Sequence, residues 1–368
     1  MTQEDEEVII IKIGGSSITN KATEETLNQD AIDWFAKLIS ASVHASFLFS
    51  EKEEKEDDDD TTTTPEAEAE AEAEARKKPK FVVIHGAGSF GHHSAKRYGL
   101  QCGKAALLNG NGGELSPTTD EKCSSSSSSL QRRKRYQMEA LSKTRHSVQK
   151  LNAAMVGSLL DHGVNACGIS PGVSIPGMRA YGSCCSTNNS NNNQGSSVAA
   201  MDLLCESINQ SLHAGLLPVI HGDACLLDDN HAGILGGDTL VEGLVGSEKM
   251  KDSVHKVIFI TDVAGVFSSD PKTNHDARLI RSLKVDVTTG EVAIDDNDNG
   301  NVAEMDVSGS SHAHDVTGGL KAKLGAAVTA VQCGKDVIIV KCCSTSAEKF
   351  VQGDCCSAEE GTLITKKL

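Results

Sequence analysis

The chain has 368 residues, with 51 Asp and Glu against 35 Lys and Arg, a formal net charge of -16. Residues 51–75 alone hold 13 acids and 2 Lys, a net -11, so the rest carries only -5 and offers no basic stripe for a nucleic-acid backbone. Apolar runs such as VIII and VIIIV fall far short of the roughly 18–20 residues that span a bilayer, and the acidic start MTQEDEEV resembles neither a signal nor a transit peptide. A cytoplasmic protein with no nucleic-acid or membrane partner is expected.

In chain order, a strand is expected at 8–13 (VIIIKI) and a helix over 31–48. An acidic insertion at 51–78 precedes a strand at 81–85 (FVVIH), and a second biased stretch, 104–129, precedes a helix over 137–163. The Ser/Asn run 183–197 leads into a helix over 199–215 and strands at 217–221 (LPVIH) and 257–263 (VIFITDV). A polar stretch, 286–312, then separates these from a helix over 320–334 and a strand at 337–341. The four biased stretches have too little apolar area to offset their ordering entropy and are read as exposed loop insertions in a single domain, 1–368. Gly163, Gly215 and Gly334 stand where three helices need a left-handed residue to end. The strands are apolar without alternation, as strands covered on both faces are, so the expected fold is α/β: a three-layer αβα sandwich around an open, mostly parallel sheet. The 12 Cys include three adjacent pairs and no CxxC, which reads as reduced thiols rather than a disulfide or zinc framework.

Ligands of such sheets bind beyond the carboxyl ends of the strands, and the unusual turns fall there. Lys12-Ile13-Gly14-Gly15-Ser16-Ser17 places a strand-borne cation beside two glycines and two hydroxyls. His85-Gly86-Ala87-Gly88-Ser89-Phe90-Gly91-His92 is nearly bare of side chains, so a ligand can approach the backbone closely, and it is not a Walker A loop. Further turns carry His221-Gly222-Asp223, Gly236-Gly237-Asp238 and Asp262, the last equally at home as a turn cap. Gly318-Gly319-Leu320-Lys321-Ala322-Lys323 puts two cations at a helix N-terminus, which the macrodipole disfavours unless an anion sits there. With Lys12, Lys21, Lys321 and Lys323 on this rim and no Ser-His-Asp or metal-cluster spacing, the chemistry indicated is electrostatic catalysis of phosphoryl transfer.

The ordered series KIGGSSITNK, VVIHGAGSFGHH, LLPVIHGD, GILGGDT, ITDVAGVF and DVTGGLKAKL resembles the amino acid kinase superfamily, and within it the isopentenyl phosphate kinases. His92 is the discriminating residue, since members acting on a phosphate or phosphonate have it and those acting on carboxylates lack it. The resemblance implies an amino acid kinase-like fold and ATP-dependent phosphorylation of isopentenyl phosphate, with Mg²⁺, a prenyl monophosphate as acceptor, and a homodimer. It implies that Lys12, Gly14, Gly15 and Ser16 hold the nucleotide phosphates, with Gly88, Asp262, Gly318 and Lys323 also on the nucleotide side. Lys21 and His92, with Lys12, would be catalytic; Ala87, His92 and Gly237 would meet the acceptor. No protein ligand for the metal is implied. Ala87 replaces a frequent Gly, which should cost clearance, and His93 a frequent Pro, which should loosen the turn holding His92. The stripe Met138, Leu141, Val148, Leu151, Met155 serves either as core or as a pocket for a prenyl tail. A kinase of another small phosphate or phosphonate, and a non-catalytic nucleotide-sensing module, remain as alternatives.

Overall fold

The computed structural model describes residues 7–44, 79–98, 100, 127–175, 177–178, 194–226, 232–269, 271, 274–295, 304–305, 318–353 and 360–367. The chain begins with β1 (Val8–Ile13), α1 (Gly15–Ile18), α2 (Gln29–His44), β2 (Lys80–His85), α3 (Gly88–Tyr98), α4 (Ser127–Asp161) and β3 (Ala166–Ile169). It continues with α5 (Gln194–His213), β4 (Leu217–His221), β5 (Asp223–Leu226), β6 (Ala232–Leu235), α6 (Gly237–Gly246), β7 (Val254–Thr261), β8 (Val266–Phe267) and β9 (Leu279–Ile280). The last elements are β10 (Ser282–Val285), β11 (Val292–Ile294), β12 (Glu304–Met305), α7 (Gly318–Gln332), β13 (Asp336–Lys341), α8 (Thr345–Gln352) and β14 (Thr362–Lys366).

One sheet of 10 strands runs β12-β11-β10-β14-β13-β7-β1-β2-β4-β3. From β13 to β3 every neighbouring pair is parallel, whereas β13–β14, β10–β11 and β11–β12 are antiparallel. Two separate cores explain the unbroken apolar strands. Val8 and Ile10 of β1 pack on the face covered by α5, α6 and α7 (Leu204, Leu244, Ala327). Ile9, Ile11 and Ile13 pack on the opposite face, against α2, α4 and α8 (Phe35, Met155, Phe350). Each strand thus divides its side chains between two dry layers, and polar residues on either face would be buried without partners. This is the expected α/β, three-layer αβα arrangement. Gly163, Gly215 and Gly334 have φ of +80, +75 and +81, as their helix-ending role requires.

Several boundaries differ from the sequence reading. Helix α4 starts at Ser127 and α5 at Gln194, so residues 127–129 and 194–197 are helical rather than part of insertions. Within 286–312, β11 and β12 extend the sheet, and Val292 and Ala293 are buried. Residues 286–291 form the turn between β10 and β11, while 296–303 and 306–312, like 51–78, 104–126 and 183–193, lie outside the described residues. The strand β3 was missed because ACGI is four residues of low β propensity.

Candidate active site

The rim forms because each strand passes its ladder on to the loop that follows it. Gly14 N donates to Ile260 O at 2.8 Å, Gly86 N to Ile13 O at 3.0 Å, and Gly222 N to His85 O at 2.9 Å. The loops after β7, β1, β2 and β4 are therefore held side by side. A second joint lies between the first two loops: Thr19 Oγ1 donates to Gly15 O at 2.7 Å and accepts from Ser89 N at 2.9 Å.

The glycines here serve each other as well as a ligand. A Cβ at Gly15 would collide with the backbone of Gly88, one at Gly86 would stand 2.6 Å from Gly15 N, and one at Gly88 (φ +50) would stand 2.5 Å from Gly15 O. The loops close only as bare backbone, so the absence of side chains does not by itself measure ligand approach. Ala87 has a packing role besides any effect on clearance. Its methyl occupies the space that a Cβ on Gly91 would need, so Ala87 is accommodated by glycine at 91.

Lys12, at the end of β1, is buried, and its Nζ lies 2.7 Å from Asp238 Oδ1 and 5.8 Å from the centre of the Phe259 ring. Asp238 Oδ1 is itself buried and accepts no hydrogen bond from the described residues, so its contact with Lys12 is ionic. Gly237, at the start of α6, faces the Lys12 stem, with its missing Cβ 3.4 Å from Cε. Lys21 Nζ pairs with Asp262 Oδ2 at 3.0 Å, bringing together two residues 241 apart in the chain. Burial alone would raise the Asp262 carboxyl, but the Lys21 bond and charge outweigh it and hold it below the usual carboxylate range.

Lys323, from the first turns of α7, is pushed below the usual amine range by desolvation and then by Lys12 and Lys21, with Asp238 and Asp262 opposing. Three cations and two carboxylates thus share one electrostatic neighbourhood. Gly318 begins α7, while Asp315 to Thr317 and the Lys321 side chain lie outside the described residues.

His92 stands exposed in the first turns of α3. Partial desolvation, then the charges of Lys21 and His93, lower its pKa, so it is mostly neutral at pH 7. His93 Nε2 lies 3.1 Å from Lys21 O and links α3 to the loop that carries Lys21. The apolar stripe of α4 splits. Leu151 and Met155 belong to the α2 core, whereas Leu141 joins Ala95, Tyr98, Leu100, Ala224 and Ala232 in a separate cluster beyond His92 on α3.

Two residues of the turns have surroundings that sequence reasoning did not foresee. Ser17 Oγ is buried beside Gly14 with no partner among the described residues. Asp223, fully buried, takes Arg145 Nη1 at 2.6 Å and Gly172 N at 3.0 Å, pinning the loop after β3 beside the rim. Its carboxyl is raised by burial, with Arg145 and the backbone donors only partly offsetting that. Partners so distant in sequence leave no local signal.

Residues 7–341 match the amino acid kinase family. The chain belongs to that family. It is 27% identical to an isopentenyl phosphate kinase of Arabidopsis thaliana over 358 residues, covering 94% of this chain and 90% of that protein. An isopentenyl phosphate kinase of Methanothermobacter thermautotrophicus is 25% identical over 276 residues, 74% of each chain. Among solved structures, an X-ray structure of isopentenyl phosphate kinase superposes with a TM-score of 0.58 at 22% identity, covering 97% of this chain and 100% of that one. The fold is therefore that of the family's kinases. Among the described residues, no helix is long and apolar enough to cross a membrane.

Proposed function

We propose that this chain is an ATP-dependent kinase that converts isopentenyl phosphate to isopentenyl diphosphate. The observation that carries this reading is His92, exposed in the first turns of α3 within the field of Lys21, which in turn shares an electrostatic neighbourhood with Lys12 and Lys323. The named relatives and the family membership support the same reaction.

A phosphate monoester has a second pKa near ~6, so at pH 7 its oxygen is already a nucleophile and no general base is needed. The acceptor needs alignment and relief from repulsion. In this reading His92 and the Ala87 N–H hold its phosphate, with Gly237 giving room. Lys12, Gly14, Gly15, Ser16 and Gly88 cradle the nucleotide phosphates, and Asp262, Gly318 and Lys323 complete that side. An acceptor oxygen bonds to the γ-phosphorus as the bond to the β–γ bridging oxygen breaks, and ADP leaves with the electron pair. Lys21 neutralises charge on the moving group; to do so it exchanges Asp262, an exposed partner that costs little to leave. The apolar cluster along α3 beyond His92 suits a prenyl tail.

Among the described residues there is no group of three metal-ligating side chains, so the site fits Mg²⁺ only as a companion of the nucleotide, held mainly by phosphate oxygens. When bound, it neutralises charge between the β- and γ-phosphates. A cytosolic homodimer accompanies this reading, and light scattering at micromolar concentration tests the dimer.

The test is ADP release from Mg-ATP and isopentenyl phosphate, with His92→Ala alongside. Turnover that falls about 100-fold in kcat/KM in the variant is expected. ATP binding without turnover, or an undiminished variant, contradicts the proposal.

A further inference from the structure

His85 and His221 end β2 and β4 in register, and neither is exposed. Their rings stack at 5.9 Å between centroids with 28° between planes. Each makes the same unusual contact: Nδ1 lies against the carbonyl of the glycine that follows, at 3.1 Å for Gly86 O and 3.0 Å for Gly222 O. The other nitrogens meet α4 and the loop after β3, with His85 Nε2 3.0 Å from Asn152 Oδ1 and His221 Nε2 3.0 Å from Ser170 Oγ.

Burial and the neighbouring imidazole drive the pKa of His85 down to about 4; for His221, also about 4, burial leads and Arg145 adds to it. Both rings are neutral at physiological pH and have one N–H each. A carbonyl can only accept, so that proton sits on Nδ1. Nε2 is then an acceptor: for His85 this calls for Asn152 with its amide turned so that NH₂ replaces Oδ1 toward the ring, and for His221 for the Ser170 hydroxyl turned to the ring at 3.0 Å in place of its longer 3.3 Å bond to Asp223 Oδ2.

In a planar trans peptide the C=O and the next N–H point in opposite directions. A Gly86 carbonyl turned toward the buried His85 ring therefore turns the Ala87 N–H the other way, where no acceptor among the described residues takes it. We propose that His85 is a positioning residue for the acceptor: as the Nδ1-protonated neutral tautomer it holds the Gly86 peptide so that the Ala87 N–H faces the substrate phosphate, and His221 backs it with the same device on β4. This rests on the acceptor site proposed above.

Full-length protein labelled with ¹⁵N-histidine tests it by NMR. At pH 5.5, where exposed imidazoles are largely cationic, two rings should remain neutral and protonated on Nδ1, and each should vanish in His85→Gln or His221→Gln. A ring protonated on Nε2, or cationic at that pH, overturns the proposal. In kinetics, His85→Gln should raise KM for isopentenyl phosphate about tenfold with KM for ATP unchanged. His85→Asn, whose amide nitrogen can replace Nδ1, should restore most of that loss. An equal loss toward both substrates, or no rescue by Asn in a folded variant, speaks against it. Should the variants fail to fold, the wild-type tautomer decides alone. Wild-type protein that does not turn over isopentenyl phosphate would remove the proposed function, and the NMR result would still establish or refute the peptide-holding role.

Discussion

In the proposed site the two halves of the rim would meet anions in opposite ways. Along β1 and β7 the loops carry full charges, with Lys12 against Asp238, Lys21 against Asp262, and Lys323 between them. Along β2 and β4 the same strand-end positions carry neutral imidazoles and bare peptide groups. The ionic half is adjustable, because its carboxylates can be exchanged for phosphate oxygens. The neutral half is fixed, because its groups are buried and bonded to backbone. A kinase joining two anionic substrates needs both: mobile cations for the charge that moves, and a rigid cradle for the group that must be aimed.

The largest expected effect lies on the ionic side. Lys21→Met should lower kcat about 10³-fold, while leaving the denaturation midpoint unchanged because its partner pair is largely exposed. A comparable fall in stability would mean that the pair is structural and the contrast between the halves is false.

Gly15→Ala attacks the seam between them. Its methyl would meet the Gly88 backbone, and a loss on the order of 3 kcal/mol is expected by urea denaturation. A variant of native stability would show that the loops can part freely.

The neutral half should show itself in acid. His85 and His221 titrate at about 4 in the fold, against roughly 6.5 in the unfolded chain, so the unfolded state binds more protons between those values. Stability is then full above about pH 6.5 and declines as the pH falls toward 4, by roughly 3 kcal/mol per imidazole. Denaturation midpoints measured across that window check the sign; a flat profile would mean that the rings are not buried neutral.

The smallest effect is expected from the acidic tract. Deleting residues 51–77, which lie outside the described structure, should leave kcat/KM within about twofold, since both halves of the rim are built from residues beyond it. A large loss would give the tract a part in the site.

Much of this was legible in the chain because strand, turn and helix signals are local. VIIIKI, FVVIH and LPVIH read as buried strands, and β1, β2 and β4 fall on them within a residue. The rim followed, since Gly-rich turns after parallel strands collect at one edge. What stayed hidden depends on contacts across the chain. Thr19 meets Ser89, Asp238 meets Lys12, and Asn152 meets His85, none of them neighbours in sequence. The glycines were read for ligand clearance, yet Gly15, Gly86 and Gly88 first make room for one another. Short strands such as β3 and β12 carry too few side chains to register as a pattern.

One acceptor comparison bears most directly on the division of labour. Purified protein with Mg-ATP is offered isopentenyl phosphate or glutamate, and phosphorus NMR follows the product. Formation of isopentenyl diphosphate with matching ADP, and no reaction with glutamate, is the predicted result. Turnover of the carboxylate, or of neither, would contradict a rim built to aim a phosphate.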